Sequence, residues 1–161
     1  MTQATDVDRG PVETMFAADL ASRNLGIELT HHGEGIAEVR MTVTPAMVNG
    51  HGIAHGGFLF LLADTAFACA CNSHGPVTVA AAADIVFVAP AHEGDVLVAT
   101  ACERTRYGRS GIYDVSVRRI DDSPREARSA EDGGGSREGE VIAEFRGRSR
   151  SLRSEKTKES Q

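Results

Sequence analysis

Apolar residues thread this chain in two rhythms. Over residues 12–24 they recur at helical spacing. Met15, Phe16, Leu20, Ala21 and Leu25 fall on one face, Pro11 suits a first turn, and Gly26 stops the segment. The spacing predicts one short helix. Residues 27–30 and 36–43 alternate apolar and polar positions around Gly33-Glu34-Gly35, which predicts a hairpin. Residues 44–57 are turn-rich, with Pro45, Gly50, Gly52, Gly56 and Gly57. The next stretch reads FLFLLADTAFACAC and is apolar except for Asp64 and Thr65. It predicts a helix over residues 58–72, buried by other elements rather than laid on a surface. After Pro76 the period shortens. Residues 77–88, 96–105, 112–120 and 141–149 read as four strands, expected to pair antiparallel through short turns.

Between the last two strands, residues 121–140 are charged and rich in Gly and Ser, and read as a mobile loop. Residues 1–10 and 153–161 read as a disordered lead and tail, leaving one domain over 11–152. The sum is an α+β fold, a long helix wrapped by an antiparallel sheet. One thin sheet cannot cover an all-apolar helix on every side. A second subunit is therefore expected to complete the cover.

An ionisable group inside so apolar a run is costly unless it is paired or used. Asp64 is thus the first candidate for chemistry, with a perturbed proton affinity. If the helix begins near Gly56, its first amides lack internal partners and sit at the positive end of the dipole. That is an oxyanion-binding arrangement, and Gly56 and Gly57 let a carbonyl approach the backbone closely. Asn49 offers an amide for a water or a carbonyl, or a local turn bond. Thr65 either assists Asp64 or bonds back to the preceding helical turn. Asp64 lies eight residues after Gly56, roughly 12 Å along the axis at ~1.5 Å per residue. A ligand touching both must lie along the helix or receive one half of the site from a neighbouring subunit.

Other groups carry less. His51 and His55 are separated by glycines, so they make no helical metal pair, and His55 reads as a turn-stabilising donor. Cys69 and Cys71 lie in the apolar run with no basic partner, as small buried hydrophobes. No Gly-x-Ser-x-Gly elbow occurs. No metal or separate cofactor is expected.

Composition narrows the partners. A net charge of −6 and few aromatics give no footing for nucleic acid or an anionic membrane. Three unevenly spaced cysteines fit a reducing, cytoplasmic compartment rather than a disulfide framework. The first ten residues are polar, without a signal-peptide core.

The string Asn49-Gly50-His51, His55-Gly56-Gly57, Leu62-Ala63-Asp64-Thr65-Ala66-Phe67-Ala68 and Ala70-Cys71-Asn72-Ser73 resembles the hotdog-fold acyl-CoA thioesterases. Among them it is most similar to the phenylacetate-pathway (PaaI-type) group. Downstream, Gly94-Asp95, Gly111-Ile112-Tyr113-Asp114 and Phe145-Arg146-Gly147 also fit, so the resemblance spans about residues 15–152. It implies a helix wrapped by a sheet, sheets paired between protomers, and a homodimer or homotetramer with shared active sites. It implies hydrolysis of an aryl-acetyl-CoA, or of another short or medium acyl-CoA. The Gly56 amide would polarise the thioester carbonyl. Asp64 of the opposing protomer would be general base or nucleophile, with Asn49 and Thr65 beside it. His55 and Gly57 would line the substrate, and Arg109 and Arg106 would meet coenzyme A. Some relatives carry a hydroxyl residue on the strand facing the helix; here that stretch is Val79-Ala80-Ala81-Ala82-Ala83-Asp84. The alternatives are a non-catalytic acyl-CoA-binding oligomer and a hotdog hydratase. The second is disfavoured because position 69 is cysteine, not the histidine of Asp-x4-His.

Overall fold

The computed structural model describes residues 10–121 and 139–153. The expected lead, tail and most of the 121–140 loop lie outside the described residues. The elements run α1 (Pro11–Ala18), α2 (Leu20–Asn24), β1 (Glu28–Gly33), β2 (Ile36–Thr42), a 3-10 turn (Pro45–Met47), α3 (Gly56–Asn72), β3 (Thr78–Phe87), β4 (Val96–Tyr107), β5 (Ser110–Ile120) and β6 (Glu140–Ser151).

The first predicted helix is two helices. Asp19 breaks it: its backbone N–H bonds Phe16 O to close α1, and its side chain accepts from Ser22 N to open α2. A short carboxylate that captures a backbone amide competes with continued helix, and the two apolar faces on either side do not reveal that.

The six strands form one antiparallel sheet in the order β1-β2-β4-β5-β6-β3. The predicted meander fails at β3. Rather than pairing with β4 through a short turn, β3 pairs with β6 at the far edge, with Ala83 opposite Gly147 and Ile85 opposite Phe145. Segment 88–95 then returns across the sheet to β4. At the close of the expected loop, Glu140 already opens β6, opposite Arg119.

Alternation sorts each strand onto two faces. On β5, Gly111, Tyr113, Val115 and Val117 are buried and point toward α3. Ile112, Asp114, Ser116 and Arg118 form the opposite ridge. There Arg146 forks onto Asp114 (2.6 and 2.9 Å) and Arg104 joins it (2.8 Å), holding the Asp114 carboxyl below the usual range. The inner face meets α3 through Leu62, Ala66, Phe67 and Ala70, all essentially inaccessible. Burying the larger of these side chains stabilises the fold by about 2 kcal/mol each.

The tightest point of this packing is a glycine. A Cβ on Gly147 would stand 2.8 Å from three Phe67 ring atoms. Phe67 itself is wedged edge-on to Tyr113 (centroids 5.5 Å apart) and cannot swing aside. Gly147→Ala should cost about 2 kcal/mol and lower Tm by roughly 6 °C, with partial recovery in Gly147→Ala/Phe67→Leu. Thermal unfolding by circular dichroism checks this; an unchanged Tm in the single variant refutes the packing argument.

Two sides of the molecule are left apolar and open. The outer edge of β3 has no strand partner, and Val79, Val86 and Phe87 are exposed there, with Val88 beyond the strand end. Phe60 on α3 is also exposed. Among the described residues no helix is long and apolar enough to cross a membrane.

Candidate active site

The start of α3 is set by a tight turn. Val48 bridges Ala54, and Asn49 N–H donates to Ile53 O (2.8 Å). The Asn49 side-chain oxygen accepts from His51 N (2.9 Å) and Ile53 N (3.4 Å). The local turn bond expected of Asn49 is present. Its oxygen makes the turn, which leaves the NH2 end to donate elsewhere.

His55 is the N-cap of α3. Its Nδ1 accepts from Gly57 N–H (2.9 Å), and its own N–H bonds Met47 O (2.8 Å). The expected donor is thus an acceptor, because a helix start presents amides in need of one. The bond also fixes the tautomer: Nδ1 is bare, so a neutral ring carries its proton on Nε2. Gly57 N–H is consumed by this cap. Gly56 N–H has no acceptor among the described residues. A Cβ on Gly56 would lie 2.8 Å from Cζ of Phe87. The ring thus roofs the glycine, and Asn49, Gly56, Leu59, Phe87 and Val88 line one cleft of about 510 Å³.

Asp64 sits two turns further along α3, half-buried. It makes no hydrogen bond or ion pair among the described residues. Burial pushes its carboxyl pKa up, and the negative charge of Asp19 pushes in the same direction. Such a carboxylate is a better base than a solvated one. Thr65, next along, is buried; its hydroxyl contacts Leu61 O (2.9 Å) and Ser22 Oγ (2.8 Å). It is held between two helices rather than aimed into the cleft. Gly56 and Asp64 are not brought together within one chain, since the helix itself separates them.

Beyond the end of α3 lies an open groove of about 940 Å³ lined by Val77, Arg106, Arg109, Leu152 and Arg153. Arg109 reaches Ser151 O (3.2 Å) along its wall. Beside it, Glu103 accepts from Tyr113 OH (2.6 Å) and meets His74 Nε2 (2.6 Å). Those two contacts hold the Glu103 carboxyl below its usual range although burial acts the other way. Burial pushes the Cys69 and Cys71 thiols up to about 12, so neither is a nucleophile near neutral pH.

Residues 51–124 match the family model described as the thioesterase superfamily. The acyl-coenzyme A thioesterase PaaI of Escherichia coli is 48% identical over 103 residues, covering 64% of this chain and 74% of that protein. This chain belongs to the hotdog-fold thioesterase superfamily. Within it the chain is closely related to the PaaI-type enzymes. The solved E. coli PaaI structure, from a phenylacetic acid degradation operon, superimposes with a TM-score of 0.75 at 39% identity, over 88% of this chain and 91% of that one. A point mutant of the phenylacetic acid degradation protein PaaI from Thermus thermophilus gives a TM-score of 0.70 at 32% identity, over 83% of this chain and 100% of that one.

In this hotdog thioesterase the alanines of β3 lie on the sheet's edge strand, and the β3 residue that lines the cleft is Phe87. Two features escaped the sequence pattern. The His74–Glu103–Tyr113 cluster joins β4 and β5 to the turn after α3. The Asp19–Ser22–Thr65 contact joins α2 to α3; an Asp-x-x-Ser spacing was its only local trace.

Proposed function

We propose that the chain is a cytoplasmic acyl-CoA thioesterase that works as a homodimer or homotetramer with active sites shared between protomers. The observation that carries the reading is the pairing of an unpartnered, half-buried Asp64 with an unused Gly56 amide at the open end of the same helix. Asp64 takes a proton from water as the oxygen attacks the thioester carbonyl. Gly56 N–H, backed by the helix dipole, holds the oxyanion. Collapse expels the coenzyme A thiolate, which takes up a proton, leaving a free acid. In the nucleophilic variant Asp64 attacks first and water cleaves the resulting anhydride; single turnover in oxygen-18 water separates the two.

The exposed β3 edge supports a shared site. If β3 pairs antiparallel with its own copy about Ala82 and Ala83, the Phe87 end of one strand meets the Thr78 end of the other. The Gly56 cleft of one protomer then lies near the Arg106–Arg109 groove of its neighbour. The guanidinium groups suit coenzyme A phosphates. The apolar cleft, walled by Leu59, Phe87 and Val88, suits an aryl-acetyl group, with the Asn49 NH2 as a donor on its lining.

The test is a panel of acyl-CoAs followed by free thiol release. Phenylacetyl- and hydroxyphenylacetyl-CoA should turn over, with shorter and longer straight chains compared beside them. Tight binding of these thioesters without thiol release would replace the enzyme by a non-catalytic acyl-CoA-binding oligomer.

A further inference from the structure

Asp19 does more than cap a helix of five residues. Capping needs one bond, which Oδ1 supplies by accepting from Ser22 N (3.0 Å). The second oxygen accepts from Ser22 Oγ at 2.6 Å. Ser22 Oγ in turn lies 2.8 Å from Thr65 Oγ1, across 43 residues of sequence. Both hydroxyl residues are buried, at 2% and 6% exposure, so the contact is shielded from water. Thr65 directly follows Asp64 on α3. Asp64 has no hydrogen bond of its own among the described residues, so its placement follows the backbone turn that Thr65 pins.

We propose that Asp19 is a positioning residue for Asp64: through Ser22 and Thr65 it fixes the α3 turn that bears Asp64. The proposal rests on the thioesterase reading above.

Other charged groups around α3 are occupied elsewhere. Glu13 of α1 is bound to His32 of β1 (2.9 Å), and Glu103 of β4 to Tyr113 of β5 (2.6 Å). Arg23 of α2 donates to Ala17 O (2.8 Å). The charged residues of β2, β3 and β6 alternate onto the outer face of the sheet, away from α3. Asp19 alone among them acts on Asp64, and it acts on Cys69 one turn further on as well. A like charge favours the protonated carboxyl and so strengthens Asp64 as a base.

Three variants test this: Asp19→Asn, Ser22→Ala and Asp64→Asn. Asparagine caps a helix about as well as aspartate, so Asp19→Asn keeps α2 while removing the charge. In Asp19→Asn the acid limb of the kcat/KM profile should move to lower pH, and plateau kcat should fall about five-fold. Ser22→Ala should lower plateau kcat by a similar factor and leave the limb in place. A carbon-13 titration of the Asp64 carboxyl should show the same downward move in Asp19→Asn, even if turnover is too slow to profile. An unmoved limb and titration in Asp19→Asn, with Asp64→Asn inactive, overturns the role of Asp19 and leaves the thioesterase reading intact. Full activity in Asp64→Asn overturns both.

Discussion

Asp64→Asn should reduce kcat on the best acyl-CoA by about a thousand-fold, the middle of the range for losing a general base. KM should change little, because an amide fills the same space. The same variant should be more heat-stable than the parent at neutral pH. Burial and the Asp19 charge raise the folded-state pKa above its unfolded value, near 3.8. The folded chain therefore holds the proton more tightly than the unfolded chain does. Stability contributed by that proton is present at low pH and is lost as pH rises through the folded pKa. Asparagine never ionises and escapes this loss. The Tm advantage of Asp64→Asn should thus be absent at pH below the unfolded value, appear as pH rises past it, and persist at neutrality. Each ~1 kcal/mol gained would show as about 3 °C in a chain of this size. Paired melting curves at acid and neutral pH read it directly. Unchanged turnover would remove Asp64 from the mechanism; a lower Tm at neutral pH would mean that the carboxylate has a stabilising partner in the assembled oligomer.

Two inactive variants should rescue each other. Gly56→Ala places a methyl 2.8 Å from the Phe87 ring, beside the amide proposed to hold the oxyanion. It should lower kcat by about a hundred-fold without harming the helix, since alanine is a good first-turn residue. Gly56 and Asp64 stand roughly 12 Å apart along one helix, so the proposed shared site draws one of them from each chain. In a mixed dimer of Gly56→Ala and Asp64→Asn, one site carries both changes and the other carries neither. Random assortment then restores roughly one quarter of parental activity. Mixing in mild denaturant, with native mass spectrometry to count mixed dimers, supplies the measurement. If mixed dimers form and activity stays at the level of the parts, each site belongs to a single chain.

The same residues show where local pattern stops being informative. The run from Phe58 to Cys71 announced a buried helix, and the structure extends its start by two residues to Gly56, with His55 as the cap. Alternation or β-branched composition marked each strand among the described residues, though β1 runs on to Gly33. Local pattern missed the break at Asp19, because the apolar face resumes after it and only the side-chain bond to Ser22 interrupts the ladder. It gave Thr65 two readings, and the bond back to Leu61 O belongs to the structural one. It also gave His55 the wrong sense, donor rather than acceptor, since that depends on which amides the finished helix leaves unpaired.

By itself the sequence determined the long helix and the strands, the α+β class, the family, and the isolation of Asp64 in an apolar helix. All of these rest on periods of two and 3.6 residues or on short motifs, which are properties of neighbouring positions. Only the tertiary structure decided that β3 lies at the far edge beside β6 and that Phe87 roofs Gly56. It also set the carboxylate of Asp19 to act on Asp64 through space. Strand order, ring contacts and like-charge pairs join residues far apart in the chain. They are fixed by which surfaces can be buried together, and no stretch of sequence carries that alone.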